Sequence, residues 1–175
     1  MSPILKTCLA AAALALCGST ALAQPAAAPA APPAAKPTEY VTVPLEATLN
    51  VSAETAWKKI GGYCDIGSWM KTTCVITSGK DGEVGSVRRI ANRVDEVLVA
   101  RTPMSYTYAQ PKSPIDYHGT VEVRADGKNK SKLLYTLVYD VANMASAEAK
   151  AADQARRKTQ FTNVVNTMKG IAEAK

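Results

Sequence analysis

KLLYTLVYDV (Lys132–Val141) and, three residues later, ASAEAKAADQARRKTQFTNVVNTMKGI (Ala145–Ile171) decide the architecture between them. In the first stretch Leu133, Tyr135, Leu137, Tyr139 and Val141 share one side of an extended chain, because neighbouring strand residues point to opposite faces. In the second, Phe161, Val164, Val165 and Met168 stand at i, i+3, i+4 and i+7, the apolar face of a helix. Ala147, Ala151 and Ala155 continue it upstream as a stripe of small side chains. No proline breaks this segment, and its one glycine, Gly170, lies near the end. A half-buried strand running into a long amphipathic helix calls for a sheet that lays its apolar face on that helix.

Working upstream, strand-like runs recur at Thr73–Thr77, Gly85–Asn92, Asp95–Arg101, Ser105–Gln110 and Tyr117–Arg124. Turn-forming clusters such as Gly79-Lys80-Asp81-Gly82 and Ala125-Asp126-Gly127-Lys128 divide them. Connections this short favour antiparallel pairing. Tyr40–Val51 has the bias of a further strand, and Pro44 within it suits an edge position. Ser52 is placed to cap a short helix, Ala53–Ile60, that stops at Gly61-Gly62. Tyr63–Met70 reads as a second short helix or an ordered loop. The expected fold is α+β: a curved antiparallel sheet of about six to seven strands wrapped on the C-terminal helix, with two short helices after the first strand. A strongly curved sheet holding a long helix leaves a gap between them.

The N-terminus has the layout of a secretory leader. Lys6 precedes the apolar run Leu9–Cys17, and Ala21-Leu22-Ala23 supplies small residues for cleavage ahead of Gln24. The run falls well short of the roughly 20 residues a spanning helix needs, so stable membrane insertion is not expected. The reading is therefore residues 1–23 as signal peptide, 24–37 (QPAAAPAAPPAAKP) as an extended Ala/Pro linker, and 38–175 as the folded domain. The expected location is periplasmic or secreted. Of 175 residues, 47% are hydrophobic and 21% charged, which excludes a disordered, collagen-like or multi-pass membrane chain. Losing Lys6 with the leader leaves 20 basic against 15 acidic residues, a net charge of +5. Those basic residues are scattered, and Arg156-Arg157-Lys158 on the long helix reads as a solvated face, so no nucleic-acid partner is expected.

Cys8 and Cys17 leave with the leader, and Cys64 and Cys74 remain as an even pair in an oxidising compartment. A disulfide there closes a loop of about 11 residues, worth roughly 2.5–3 kcal/mol. A metal or redox pair is the alternative, against which stand the nine intervening residues and the lack of a nearby histidine.

Strand parity selects what lines the gap. Tyr106 and Tyr108 share a face, Tyr117 goes with Val121 and Val123, and Tyr135 and Tyr139 go with Leu133 and Leu137. Five of seven tyrosines thus face inward, in a chain with a single Phe. Tyrosine hydroxyls need partners when buried, so such a face suits a cavity holding water or a partly polar ligand. A filled core with hydroxyls satisfied at strand ends is the other reading. Arg88 shares parity with Ile90, and Glu96 with Leu98, so the two either meet as an inward ion pair or sit as surface charges. Trp69 is expected to guard the mouth, with Phe161, Val164 and Met168 as the opposite wall.

The only histidine, His118, falls on the outward parity. The sequence contains no nucleophile elbow, phosphate loop, paired-carboxylate motif or metal-ligand set, so no catalytic residue, metal or cofactor is assigned.

Gly85-Ser86-Val87-Arg88, then Val94-Asp95-Glu96-Val97-Leu98, then Tyr106 resemble the START/Bet v 1-like (SRPBCC) superfamily, in its polyketide cyclase/dehydrase and lipid-transport branch. Trp57-Lys58-Lys59-Ile60-Gly61-Gly62-Tyr63-Cys64-Asp65-Ile66-Gly67-Ser68-Trp69, followed by Cys74, resembles exported members with a cysteine pair around a tryptophan. This chain has Met70-Lys71 where such relatives often have His-Pro. The resemblance spans Val41 to about Lys169 and implies a helix-grip fold. The inferred cavity, its tyrosine face and the helix lid lead to the expectation of a carrier, as a monomer, for a small hydrophobic or amphipathic molecule held between sheet and helix. A cyclase- or dehydratase-like enzyme, with Glu96 and Arg88 or a tyrosine hydroxyl at work, is the alternative; an envelope interaction protein with an incidental cavity is a third.

Overall fold

Residues that alternate apolar and polar build seven strands, and a long C-terminal helix, apolar on its inner side only in its second half, packs against them. The computed structural model describes residues 37–175; the expected leader, and all of the expected Ala/Pro linker but Pro37, lie outside the described residues. The chain runs β1 (Tyr40–Leu49), α1 (Ala53–Ile60), α2 (Ile66–Trp69), β2 (Cys74–Ser78), β3 (Val87–Ile90), β4 (Val94–Thr102), β5 (Ser105–Ala109), β6 (His118–Ala125), β7 (Ser131–Asp140) and α3 (Ala147–Glu173). The strands form one antiparallel sheet in the order β1-β7-β6-β5-β4-β3-β2. This is the helix-grip α+β arrangement. Pro44 sits on the edge strand β1, opposite Thr136 of β7, where a missing N–H leaves no central ladder bond unmade.

The first helix starts where its cap dictates. The Ser52 hydroxyl accepts a hydrogen bond from the Thr55 backbone N–H at 3.2 Å, and the Gly61 N–H closes the last turn on the Trp57 carbonyl at 2.8 Å. A side chain at 61 has no room, since a Cβ there would lie 2.3 Å from the Trp57 ring. β3 and β4 are joined by Ala91-Asn92-Arg93, the first two left-handed (φ 50° and 57°), with the Arg93 N–H closing on the Ile90 carbonyl at 3.0 Å. That geometry matches the right-handed twist of the flanking strands.

Leu98, Val121, Leu133, Leu137 and Val141 are wholly buried between the sheet and the helices. The C-terminal half of α3 completes this layer with Phe161, Val164, Val165, Met168 and Ala172. Its end is tied to the β1–α1 corner: Glu173 accepts from the Asn50 N–H at 2.7 Å, and Lys169 donates to the Thr48 carbonyl at 2.6 Å.

The N-terminal half of α3 departs from the sequence reading. Ala147, Ala151 and Ala155 are exposed, and the side turned toward the sheet carries Lys150, Asp153, Gln154 and Arg157. Residues four apart advance about 400° around a helix, so an i, i+4, i+8 stripe drifts off any fixed face. Arg157, read from sequence as part of a solvated cluster, lies 4.3 Å from the centre of the Tyr139 ring and accompanies Tyr117 at 5.6 Å.

Candidate functional site

Arg88 and Glu96 face each other across the β3–β4 ladder. Arg88 is fully buried and Glu96 is 3% exposed. The guanidinium grips one carboxylate oxygen, Oε2, from Nε at 2.8 Å and from Nη2 at 2.6 Å. The other, Oε1, accepts from the Gln110 amide at 2.9 Å. Arg88 Nη1 donates to the Tyr63 carbonyl, and the Tyr63 hydroxyl returns to the Glu96 carbonyl at 3.0 Å. Three rings enclose the cation, those of Tyr63, Tyr108 and Tyr106 at 4.2, 4.9 and 5.6 Å. Burial opposes the charge on Arg88, and the surrounding tyrosines and Glu96 overcome it, so its pKa moves up. Strand parity foresaw the inward pair and left a surface alternative open; the structure settles on the inward pair.

The five tyrosines all lie on the concave face, each under 5% exposed, and Tyr63 joins them. The Tyr108 and Tyr135 hydroxyls bond each other at 2.7 Å. Burial is the first cause that raises the pKa of Tyr106, Tyr108 and Tyr135 above the ordinary tyrosine value. These phenols therefore keep their protons at neutral pH and offer O–H donors rather than bases. Tyr108 reaches its place because Gly119 opposes it on β6.

Much of the interior is solid. Tyr135 stacks edge-on against Phe161 at 5.3 Å and Trp69 at 6.1 Å. Toward the open end of the sheet this packing gives way to a cavity of about 370 Å³. Tyr108, Tyr117, Tyr135 and Phe161 form its inner wall, with Glu96 and Gln110 to one side. Its rim is made by Ile66, Met70, Lys71 and Thr72 from the α2 segment and by Ile90–Val94 apart from Asn92. A Cys64–Cys74 disulfide (Cα–Cα 5.6 Å) ties the α2 segment to β2. Among the described residues no cluster of three or more His, Cys, Asp or Glu side chains is placed to hold a metal.

Of the residues the sequence suggested for a ligand, Glu96, Tyr108, Tyr117, Tyr135 and Phe161 come together on the cavity wall. Arg88, Tyr106, Tyr139, Val164 and Met168 are buried behind it and do not line it. Trp69 also lies behind the wall, 2% exposed and packed on Tyr135, so the mouth belongs to Met70, Lys71 and the β3–β4 turn. Gln110, Lys71 and Arg93 escaped the sequence reading, since they sit at strand ends and turns where periodicity says nothing. His118 stands on the outward side, as expected, 35% exposed in its side chain.

The model of the family described as polyketide cyclase / dehydrase and lipid transport matches residues 40–169. The chain belongs to this family. The match begins at the first residue of β1 and ends within α3, so it takes in the whole sheet and the cavity. No curated protein matches the chain in sequence. Among solved structures, a protein from Nitrosospira multiformis superposes with a TM-score of 0.61 at 17% identity, over 74% of this chain and 94% of that one. A START superfamily protein from Mycobacterium smegmatis gives 0.59 at 12%, over 75% and 97%. The ZhuI aromatase/cyclase from a Streptomyces species gives 0.59 at 15%, over 77% and 94%. At these identities the likeness concerns the fold. The family's description names both cyclase/dehydrase and lipid transport, and a shared scaffold does not choose between them.

Proposed function

We propose that this protein is an exported carrier that binds a small hydrophobic or amphipathic molecule between the sheet and α3. The observation that carries the reading is the cavity of about 370 Å³ walled by Tyr108, Tyr117, Tyr135 and Phe161 and open at the α2 rim. It falls at the small end of the ligand-pocket range of roughly 300–1,000 Å³ and combines apolar walls with a few polar groups, as such pockets do. The family's description includes lipid transport, and that supports a carrier. The leader Met1–Ala23, with cleavage after Ala23, supports a periplasmic site of action. Native mass spectrometry of the protein purified from its own periplasm tests this. The expected result is a non-covalent small molecule on the folded chain, lost on denaturation. A chain that arrives empty and takes up no hydrophobic probe overturns it.

A second reading, a cyclase- or dehydratase-like enzyme, draws on one feature. Among the described residues Glu96 is the one carboxylate on the cavity wall, and it is held in place by Arg88 and Gln110. General acid–base chemistry needs such a positioned group. Turnover of a co-purified molecule that Glu96→Gln abolishes, with folding intact, supports the enzyme over the carrier.

A further inference from the structure

We propose that the ligand is an amphiphile with an anionic head, its apolar body against the tyrosine wall and its head at the rim between the α2 segment and the β3–β4 turn. This deepens the carrier reading and rests on it.

Among the described residues, three charged side chains line the cavity: Lys71, Arg93 and Glu96. Glu96 is already neutralised, one oxygen held by Arg88 and the other by Gln110. Among the described residues, the side chains of Lys71 and Arg93 take part in no salt bridge or hydrogen bond. Two cations nearby in the chain but off the cavity lining behave differently, because Arg89 and Lys112 both engage Asp95, at 2.7 and 3.1 Å. The cavity thus opens beneath two uncommitted positive charges, with its one negative charge spent inside. A carboxylate, sulfonate or phosphate monoester at the mouth meets favourable potential, whereas an ammonium meets repulsion.

Both cations stand on backbone that is fixed rather than loose. Lys71 has a left-handed conformation (φ 51°) between the Met70 N–H bonded to Ile66 and the Thr72 N–H bonded to Gly67, each at 2.9 Å. Arg93 follows directly on the left-handed pair Ala91-Asn92. Non-glycine residues in that region carry a steric cost, and such positions gather at ligand sites. Two of the four that occur among the described residues, Lys71 and Ala91, line this rim, and a third, Asn92, sits in the chain between the rim residues Ala91 and Arg93. The volume sets the body: one chain or one small ring system fits about 370 Å³, and a two-chain lipid does not.

Calorimetric titration with decanoate, decanol and decylamine, which share a body and differ in head charge, tests the assignment on the mature chain. Decanoate is expected to bind about tenfold more tightly than decanol, the worth of a charge-assisted contact, with decylamine weakest. The decanoate advantage shrinks with added salt. In Lys71→Ala/Arg93→Ala the ratio of decanoate to decanol affinity falls to about one. In Lys71→Glu/Arg93→Glu decylamine overtakes decanoate. Equal binding of all three probes to the unaltered protein overturns the head-group assignment while leaving the carrier reading intact, as does an advantage that survives the double substitution. Failure of every probe to bind overturns both. Because the three-probe comparison on the unaltered chain decides by itself, a variant that misfolds does not shelter the proposal.

Discussion

Gly119 faces Tyr108 directly across the β5–β6 ladder, and a Cβ at position 119 would lie 2.3 Å from the tyrosine hydroxyl. The absent side chain is what lets the ring lie across β6 and reach the Tyr135 hydroxyl. Gly119→Ala is expected to lower stability by about 1–3 kcal/mol, the usual cost of overpacking a core. Urea denaturation measures the loss, and near-ultraviolet circular dichroism should show the displaced ring. An alanine variant as stable as the parent would mean the ring has another place to go.

The Arg88–Glu96 pair should respond asymmetrically to single and double substitution. Arg88→Met leaves a buried carboxylate, and Glu96→Leu a buried guanidinium; each should cost about 3–5 kcal/mol. Changing both together should cost far less than the two singles combined, because the strandmate charge is no longer orphaned. Chemical denaturation of the four proteins gives the cycle directly.

Alkali should unfold the protein through its phenols. Burial, followed by the nearby Asp153 carboxylate, pushes Tyr139 up to about 12, and burial raises Tyr108 and Tyr135 as well. A phenol raised in the folded state holds its proton longer than in the unfolded chain, whose value is near 10. Its contribution is complete below pH 10 and is lost as pH climbs through the folded values. Tyrosinate absorbance should therefore rise in one cooperative step that coincides with loss of far-ultraviolet signal. At the other extreme, Arg89 and then Lys112 hold Asp95 down at about 2, so its contribution persists above the ordinary carboxylate range and fades only as pH falls toward that value.

The turn at Ala91-Asn92 holds a conformation that suits glycine. Ala91→Gly relieves a left-handed alanine costing about 1–2 kcal/mol, against roughly 0.4–1 kcal/mol of added freedom in the unfolded chain. A net gain of about 0.5–1 kcal/mol, read as a higher melting temperature, is expected.

Reduction of Cys64–Cys74 should remove roughly 2.5–3 kcal/mol by freeing the unfolded loop. The melting temperature with and without reductant provides the check, and an unchanged value would contradict it.

Period-two parity made the tyrosine face legible, while for Arg88 and Glu96 it left an inward pair and two surface charges both open, because parity does not say which face of an edge strand is covered. Capping chemistry made Ala53–Ile60 legible, where Ser52 opens the helix and Gly61 closes it. Periodicity misled at the start of α3, because alanines four apart look like a face yet spiral away from it. Its true inward residues, Asp153 and Arg157, are polar and carry no hydrophobic signal. Trp69 was read as a gatekeeper from its closeness to the cysteines, whereas the short α2 turns its indole onto Tyr135. Lys71, Arg93 and Gln110 were invisible because a turn's side-chain directions depend on φ values that composition does not encode.

The Tyr63 carbonyl is held by Arg88, its hydroxyl by the Glu96 backbone, and the very next residue is crosslinked to β2. The doorway formed by Ile66–Thr72 is therefore anchored at both ends, like a strap buckled on either side. If the proposed carrier role holds, entry calls for the flexing of rim side chains such as Met70 within a frame that these two ties hold in shape.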